Sequence, residues 1–117
     1  MKTIKIYVAI LFSIFFFNSS IAQSGIKKDT IKVWGNCGMC KKVIEKAAHS
    51  AGASKAYWNE DSKQLVVFYA VSKTSNKKIQ ESVARSGYDT QDIVADSVAY
   101  YKLPGCCHYD RKTSSKN

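Results

Sequence analysis

Proline is almost absent, since Pro104 near the end is the single one in a chain of 117 residues. A thioredoxin-type fold needs a longer chain and a proline facing its reactive cysteines, so that architecture is excluded. Histidine is nearly as scarce, with only His49 and His108. No Ser-His-Asp arrangement can be drawn from them, and the six glycines form no phosphate-cradling loop. Catalysis is therefore not expected. Acidic residues number 9 against 18 Lys and Arg, a formal net charge of +9. The excess is scattered and no basic run is interleaved with aromatics, so a nucleic-acid partner is not expected. This charge serves solvation and attraction to an acidic partner.

A long membrane-spanning run is lacking too. Ile6 to Phe17 is apolar for about a dozen residues, short of the roughly 20 that a spanning helix needs. Lys2 and Lys5 precede it, and Ser20-Ile21-Ala22 puts small residues where a signal peptidase reads. Residues 1–22 are thus expected to be a signal peptide, with Gln23 the mature N-terminus and the protein exported, to the periplasm or beyond. Gln23, not cysteine, stands directly after Ala22, so a lipid anchor is not expected. Residues 23–117 suffice for one small domain and a tail.

What the chain does have is four cysteines in two clusters, Cys37 and Cys40, then Cys106 and Cys107. An even count in an exported protein invites disulfides. The spacing argues otherwise. Cys37 to Cys40 closes a very small loop, and Cys106 and Cys107 are adjacent, so only cross-pairing would staple the fold. Thiols this close read as ligands.

The surrounding pattern supplies the fold. Residues 23–28 read as a polar leader. Thr30 to Trp34 alternates and ends at Gly35, a strand signature. From Cys40 to Ala51, Val43, Ile44, Ala47, Ala48 and Ala51 form one helical face, stopped by Gly52. Ser54 to Asn59 and Gln64 to Ala70 are two strands joined by the polar turn Glu60 to Lys63. Thr74 to Asn76 offers caps for a second helix carrying Ile79, Val83 and Ala84, ended by Gly87. A short last strand is expected around Thr90 to Val94. The order βαββαβ is that of a ferredoxin-like α+β open-faced sandwich, both helices on one face of an antiparallel sheet.

With the CxxC pair between the first strand and helix, and Ser86-Gly87-Tyr88-Asp89-Thr90 closing the second helix, residues 29–95 resemble the heavy-metal-associated domain. That family includes copper chaperones, the metal-binding domains of copper-transporting ATPases, and the periplasmic mercury-binding protein. The resemblance implies that Cys37 and Cys40 are the metal ligands and that Tyr88 sits beside the metal loop. It also implies a metal-transporting membrane protein or efflux system as partner, and a monomer in the apo state. One departure stands upstream of the pair. The family often has Gly-Met-Thr there, whereas this chain has Trp34-Gly35-Asn36, so Gly35 stands where a methionine would pack. Asn36 and Met39 flank the thiols and are expected near the site.

The chemistry of the pair can be argued without the family. Two thiolates, one in a loop and one in a helix's first turn, suit soft ions of low coordination number such as Cu(I) or Hg(II). A helix N-terminus favours thiolate over thiol, and Lys41 and Lys42 are expected to add to this. The ion is expected to be Cu(I), captured and then transferred or withheld, with Hg(II) as the alternative. From another class, the rival is a thiol-disulfide oxidoreductase using Cys37 and Cys40.

The tail, residues 96–117, holds Cys106, Cys107 and His108. Asp96 or Ser97 caps a short helix carrying Val98, Tyr101 and Leu103, broken at Pro104-Gly105. Eleven residues from Ala95 to Cys106 can reach back about 17 Å, the length of a short strand. Closure would bring three or four ligands together and admit Zn(II). A separate second ion site, or a tail without function, are the other two readings. His49 reads as a solvated surface residue. Trp58, Phe68 and Tyr69 read as packing residues, and Trp34 as either a shield for the site or packing. Lys41, not histidine, follows Cys40, which rules out covalent haem.

Overall fold

The computed structural model describes residues 25–112; the expected signal peptide and residues 113–117 lie outside them. Within this span the chain is α+β, a three-stranded antiparallel sheet with helices. The order is β1 (Ile26–Lys32), α1 (Gly38–Ser50), β2 (Lys55–Trp58), β3 (Gln64–Ala70), α2 (Asn76–Arg85), α3 (Ser97–Lys102) and a 3-10 turn, Gly105–Cys107.

β3 is central, flanked by β1 and β2. Ile31 and Trp58 both stand opposite Leu65, which fixes the register on both sides. Along β3, Leu65, Val67 and Tyr69 are buried while Val66, Phe68 and Ala70 are half-buried, so one face carries the helices and the other meets solvent. Cys40, Ile44, Ala47 and Ala48 form the buried stripe of α1, and Ile79, Gln80, Val83 and Ala84 that of α2. Ser75 caps α2, its side chain accepting the Lys78 N–H.

One expected boundary moves and one expected strand is absent among the described residues. β1 begins at Ile26 rather than Thr30, because Ile26, Lys27, Lys28 and Asp29 pair with Ala70, Tyr69, Phe68 and Val67, so residues 26–28 of the expected leader are strand. The fourth strand does not form, and the sheet has three strands, not four. Thr90 makes only an isolated bridge to Val33. The reason is local. The side-chain oxygen of Gln91 accepts the Lys32 N–H at 3.0 Å, the position a continuing strand would fill with backbone. Thr90 N–H then donates to the Ile93 carbonyl at 2.8 Å and turns the chain.

Asp96 caps α3, its carboxylate accepting the Val98 N–H. The inward face of α3 is only partly the expected one: Leu103 packs on the core, but Val98 and Tyr101 are exposed and Tyr100, half-buried, packs there instead. Gly87 makes this possible. Its φ is +106°, and a Cβ there would meet the Ala99 carbonyl and the Tyr100 nitrogen at 3.1–3.2 Å. Only glycine permits both this backbone turn and the close passage of α3.

Candidate metal centre

The loop before α1 is set by packing beneath it. Gly35 is buried, and a Cβ on it would lie 3.0 Å from two carbons of the Trp58 ring. Trp58 is 2 % exposed and its indole N–H donates to the Val33 carbonyl at 3.0 Å. The indole thus fills the space under the loop where the resemblance puts a methionine. Glu45 holds Trp58 from the other side, accepting its backbone N–H at 2.9 Å.

Above this floor, Cys37 occupies the N-cap position of α1 in extended conformation, and Cys40 lies buried in the first turn. Their sulfurs are 3.5 Å apart. The Cys40 thiol donates to the Asn36 side-chain oxygen at 3.2 Å, so Asn36 sits at the site. The backbone N–H of Cys40, then that of Met39, stabilise the Cys37 thiolate and outweigh burial, lowering its pKa to about 7. The lysines have no part in this. Lys41 turns away to Glu45 at 2.6 Å and the Trp58 carbonyl at 2.9 Å, and Lys42 points to solvent.

The tail folds back over this pair. Cys107, 1 % exposed, places its sulfur 3.7 Å from that of Cys37. The sulfurs of Cys37, Cys40 and Cys107 all lie within 4.8 Å of one another. A metal–sulfur bond of about 2.3 Å in a trigonal plane sets sulfurs about 4 Å apart, so the trio is spaced to hold one ion. All four cysteines are free. Burial first, then the sulfurs of Cys40 and Cys37, push the Cys107 thiol well above its ordinary range.

The other named residues divide. Tyr88 is fully buried, and burial followed by the Cys40 and Cys107 sulfurs raises its pKa strongly. Its hydroxyl has no hydrogen-bond partner among the described residues, an orphaned polar group near the Cys40 and Cys107 thiols. Cys106 stays at the surface, its sulfur 3.9 Å from that of Cys107 and 3.5 Å from that of Met39, and its carbonyl 3.5 Å from the Cys37 sulfur. His108 is not brought into the trio, its ring lying 5.2 Å from that of Tyr100 on the exposed side. His49 is exposed, with Nδ1 on the Ala53 carbonyl. Trp34 is half-buried, with the Lys32 and Lys112 ammonium groups 4.8 and 5.6 Å from its ring.

What holds the tail down is a set of residues the sequence did not mark. Tyr109 stacks on Tyr88 at 5.5 Å, donates its hydroxyl hydrogen to the Gly87 carbonyl and accepts the Asp89 N–H. Tyr100 donates to the Tyr109 carbonyl at 2.7 Å. Arg111 clasps the buried Asp89 carboxylate through Nη2 at 2.9 Å and Nε at 3.2 Å. Ala95 N–H adds a third donor, so although burial alone would raise the Asp89 pKa, these donors hold it below the usual carboxylate range.

Known structures match this architecture. The chain is 29 % identical to the CopZ metallochaperone, covering 55 % of this chain and 98 % of that one, with a TM-score of 0.53. The fold is of the heavy-metal-associated type. Oxidized MerP from Ralstonia metallidurans CH34 is also 29 % identical, over 57 % of this chain and 96 % of that one, at TM-score 0.54. The water-soluble region of the P-type ATPase CopA from Bacillus subtilis is 29 % identical at TM-score 0.53, over 57 % of this chain and 46 % of that one. No family model and no curated protein matches the sequence. The chain thus shares its fold with a metallochaperone and with other proteins of that type, and carries a cluster of three thiols that could hold a metal ion.

Proposed function

We propose that this protein is an exported, non-catalytic carrier that holds one soft metal ion, Cu(I), between Cys37, Cys40 and Cys107. The observation that carries the reading is the buried Cys107 sulfur, 3.7 Å from Cys37 and delivered by a tail pinned through Asp89 and Arg111. Two thiolates alone favour passing an ion on, because an incoming thiolate finds an open position. A third, buried thiolate fills that position, so this site favours retention until a partner displaces the tail. The partner is a metal-transporting membrane protein; likeness to the soluble region of a P-type ATPase supports this. Export rests on the N-terminal pattern of Lys2 to Ala22.

Three thiolates suit Hg(II) as well, and the likeness to MerP supports that second reading. X-ray absorption of the loaded, reduced protein tests the geometry. Three sulfur neighbours per Cu(I), falling to two in Cys107→Ser, are expected. Two sulfurs in both proteins would refute the closed site.

A further inference from the structure

We infer that Met39 and Cys106 form an outer sulfur pair on the surface, where a soft monovalent ion binds first and from which it moves into the inner trio. This rests on the reading of Cys37, Cys40 and Cys107 as the ion site. Four observations carry it. Met39 is 52 % exposed at the start of α1, where the neighbouring Cys40 and Ile44 supply the helix's apolar packing. Cys106 is exposed too, and its sulfur lies 3.5 Å from that of Met39. The outer pair touches the inner site at two points, Cys106 to Cys107 at 3.9 Å between sulfurs and the Cys106 carbonyl to the Cys37 sulfur at 3.5 Å. Lastly, Cys40 and Cys107 are buried and Cys37 is half-buried, so of the five sulfurs the outer two are the most accessible to an ion in solution.

The chemistry suits the sequence of events. A thioether binds without losing a proton and selects soft ions, so Met39 with the Cys106 thiolate admits Cu(I) or Ag(I) and disfavours harder divalent ions. Transfer inward is ligand exchange with no change of oxidation state. The Cys106 thiol gives up its proton to water as the metal–sulfur bond forms. The Cys107 thiol then loses its proton as it bonds the ion and the bond to Met39 breaks. Bonds to the Cys37 thiolate and to Cys40, whose thiol proton passes to water, form as the bond to Cys106 breaks, and Cys106 takes a proton back from water.

The test uses the reduced mature chain with Ag(I), counted by native mass spectrometry, and rapid-mixing measurement of loading. Wild type is expected to take a second, weaker ion. The double variant Met39→Leu/Cys106→Ser is expected to take one only, at unchanged first-ion affinity, and to load several-fold more slowly. Both positions are exposed, so the variant keeps the fold. Equal loading rates and ion counts in the two proteins would overturn the outer pair while leaving the inner site standing. A fall in first-ion affinity in the double variant would overturn it differently, by placing Cys106 or Met39 in the inner set. A wild type that binds no ion, or a first ion that survives Cys37→Ser/Cys40→Ser, would sink the inner site and this inference with it.

Discussion

The Cys107 sulfur lies 3.7 Å from that of Cys37, although 70 positions separate them in sequence. Neither residue belongs to the sheet. The meeting depends on the turn at Thr90, the close passage of α3 over Gly87, and the clasp of Arg111 on Asp89. Each of these can be broken separately, which separates the site from the fold that carries it.

Asp89→Asn removes the charge that Arg111 clasps while keeping the side chain's size. Breaking a buried pair costs about 3–5 kcal/mol when a charge is left buried; Arg111 can reach solvent, so roughly 2 kcal/mol is expected. Chemical denaturation should report that loss, and metal affinity should fall with it as the tail loosens. An unchanged affinity would mean that the tail stays closed without the clasp.

The same carboxylate sets a pH dependence. Its pKa is depressed in the folded state, so its stabilisation is complete above the unfolded value of about 3.9 and is lost as pH falls through the lower folded value. The denaturation midpoint of the wild type is expected to drop more steeply than that of Asp89→Asn below about pH 4. Parallel curves would show that Asp89 carries no such linkage.

Gly35→Ala puts a methyl group 3.0 Å from two carbons of the Trp58 ring. The indole is buried and tied to Val33, so it has little room to retreat. A loss of about 1–3 kcal/mol is expected, with a shift in tryptophan emission. Wild-type stability and emission would show that the indole is not the floor of the loop.

Tyr88→Phe should act in opposite directions on the two states. Its buried hydroxyl has no partner among the described residues, so removing it relieves a desolvation penalty of about 1–3 kcal/mol in the apo protein. With an ion bound, the same hydroxyl can donate to the thiolates of Cys40 and Cys107, whose influence already marks its pKa. Thermal denaturation should give an apo midpoint no lower than wild type, while competition titration gives weaker metal binding. A variant that lost apo stability would contradict this account of Tyr88.

Much of this architecture was legible in the sequence because it follows short-range patterns. Gln64 to Ala70, rich in β-branched and aromatic residues, forms β3 over those same residues, and Gly52 and Gly87 end their helices with positive φ. The CxxC loop announced Cys37 and Cys40 by spacing alone. What stayed hidden depends on contacts across the chain. Nothing local tells that Gln91 would replace a backbone partner and cancel the last strand, or that Asp89 and Arg111 would meet 22 positions apart. The tail's reach was arguable from its length. That Cys107 would turn inward while Cys106 and His108 faced out was not, because Tyr109 and Tyr100 decide it through packing. Lys41 misled for the same reason, since its partner Glu45 is plain at i+4 but Trp58 is not.

The central claim is that Cys107 is a third ligand. An anaerobic Cu(I) competition titration of the reduced mature protein beside Cys107→Ser tests it most directly. The account predicts one tightly held ion in both and an affinity at least about tenfold lower in the variant, or about 1.4 kcal/mol. Equal affinities would contradict it, leaving Cys37 and Cys40 as a self-sufficient pair beneath an incidental tail.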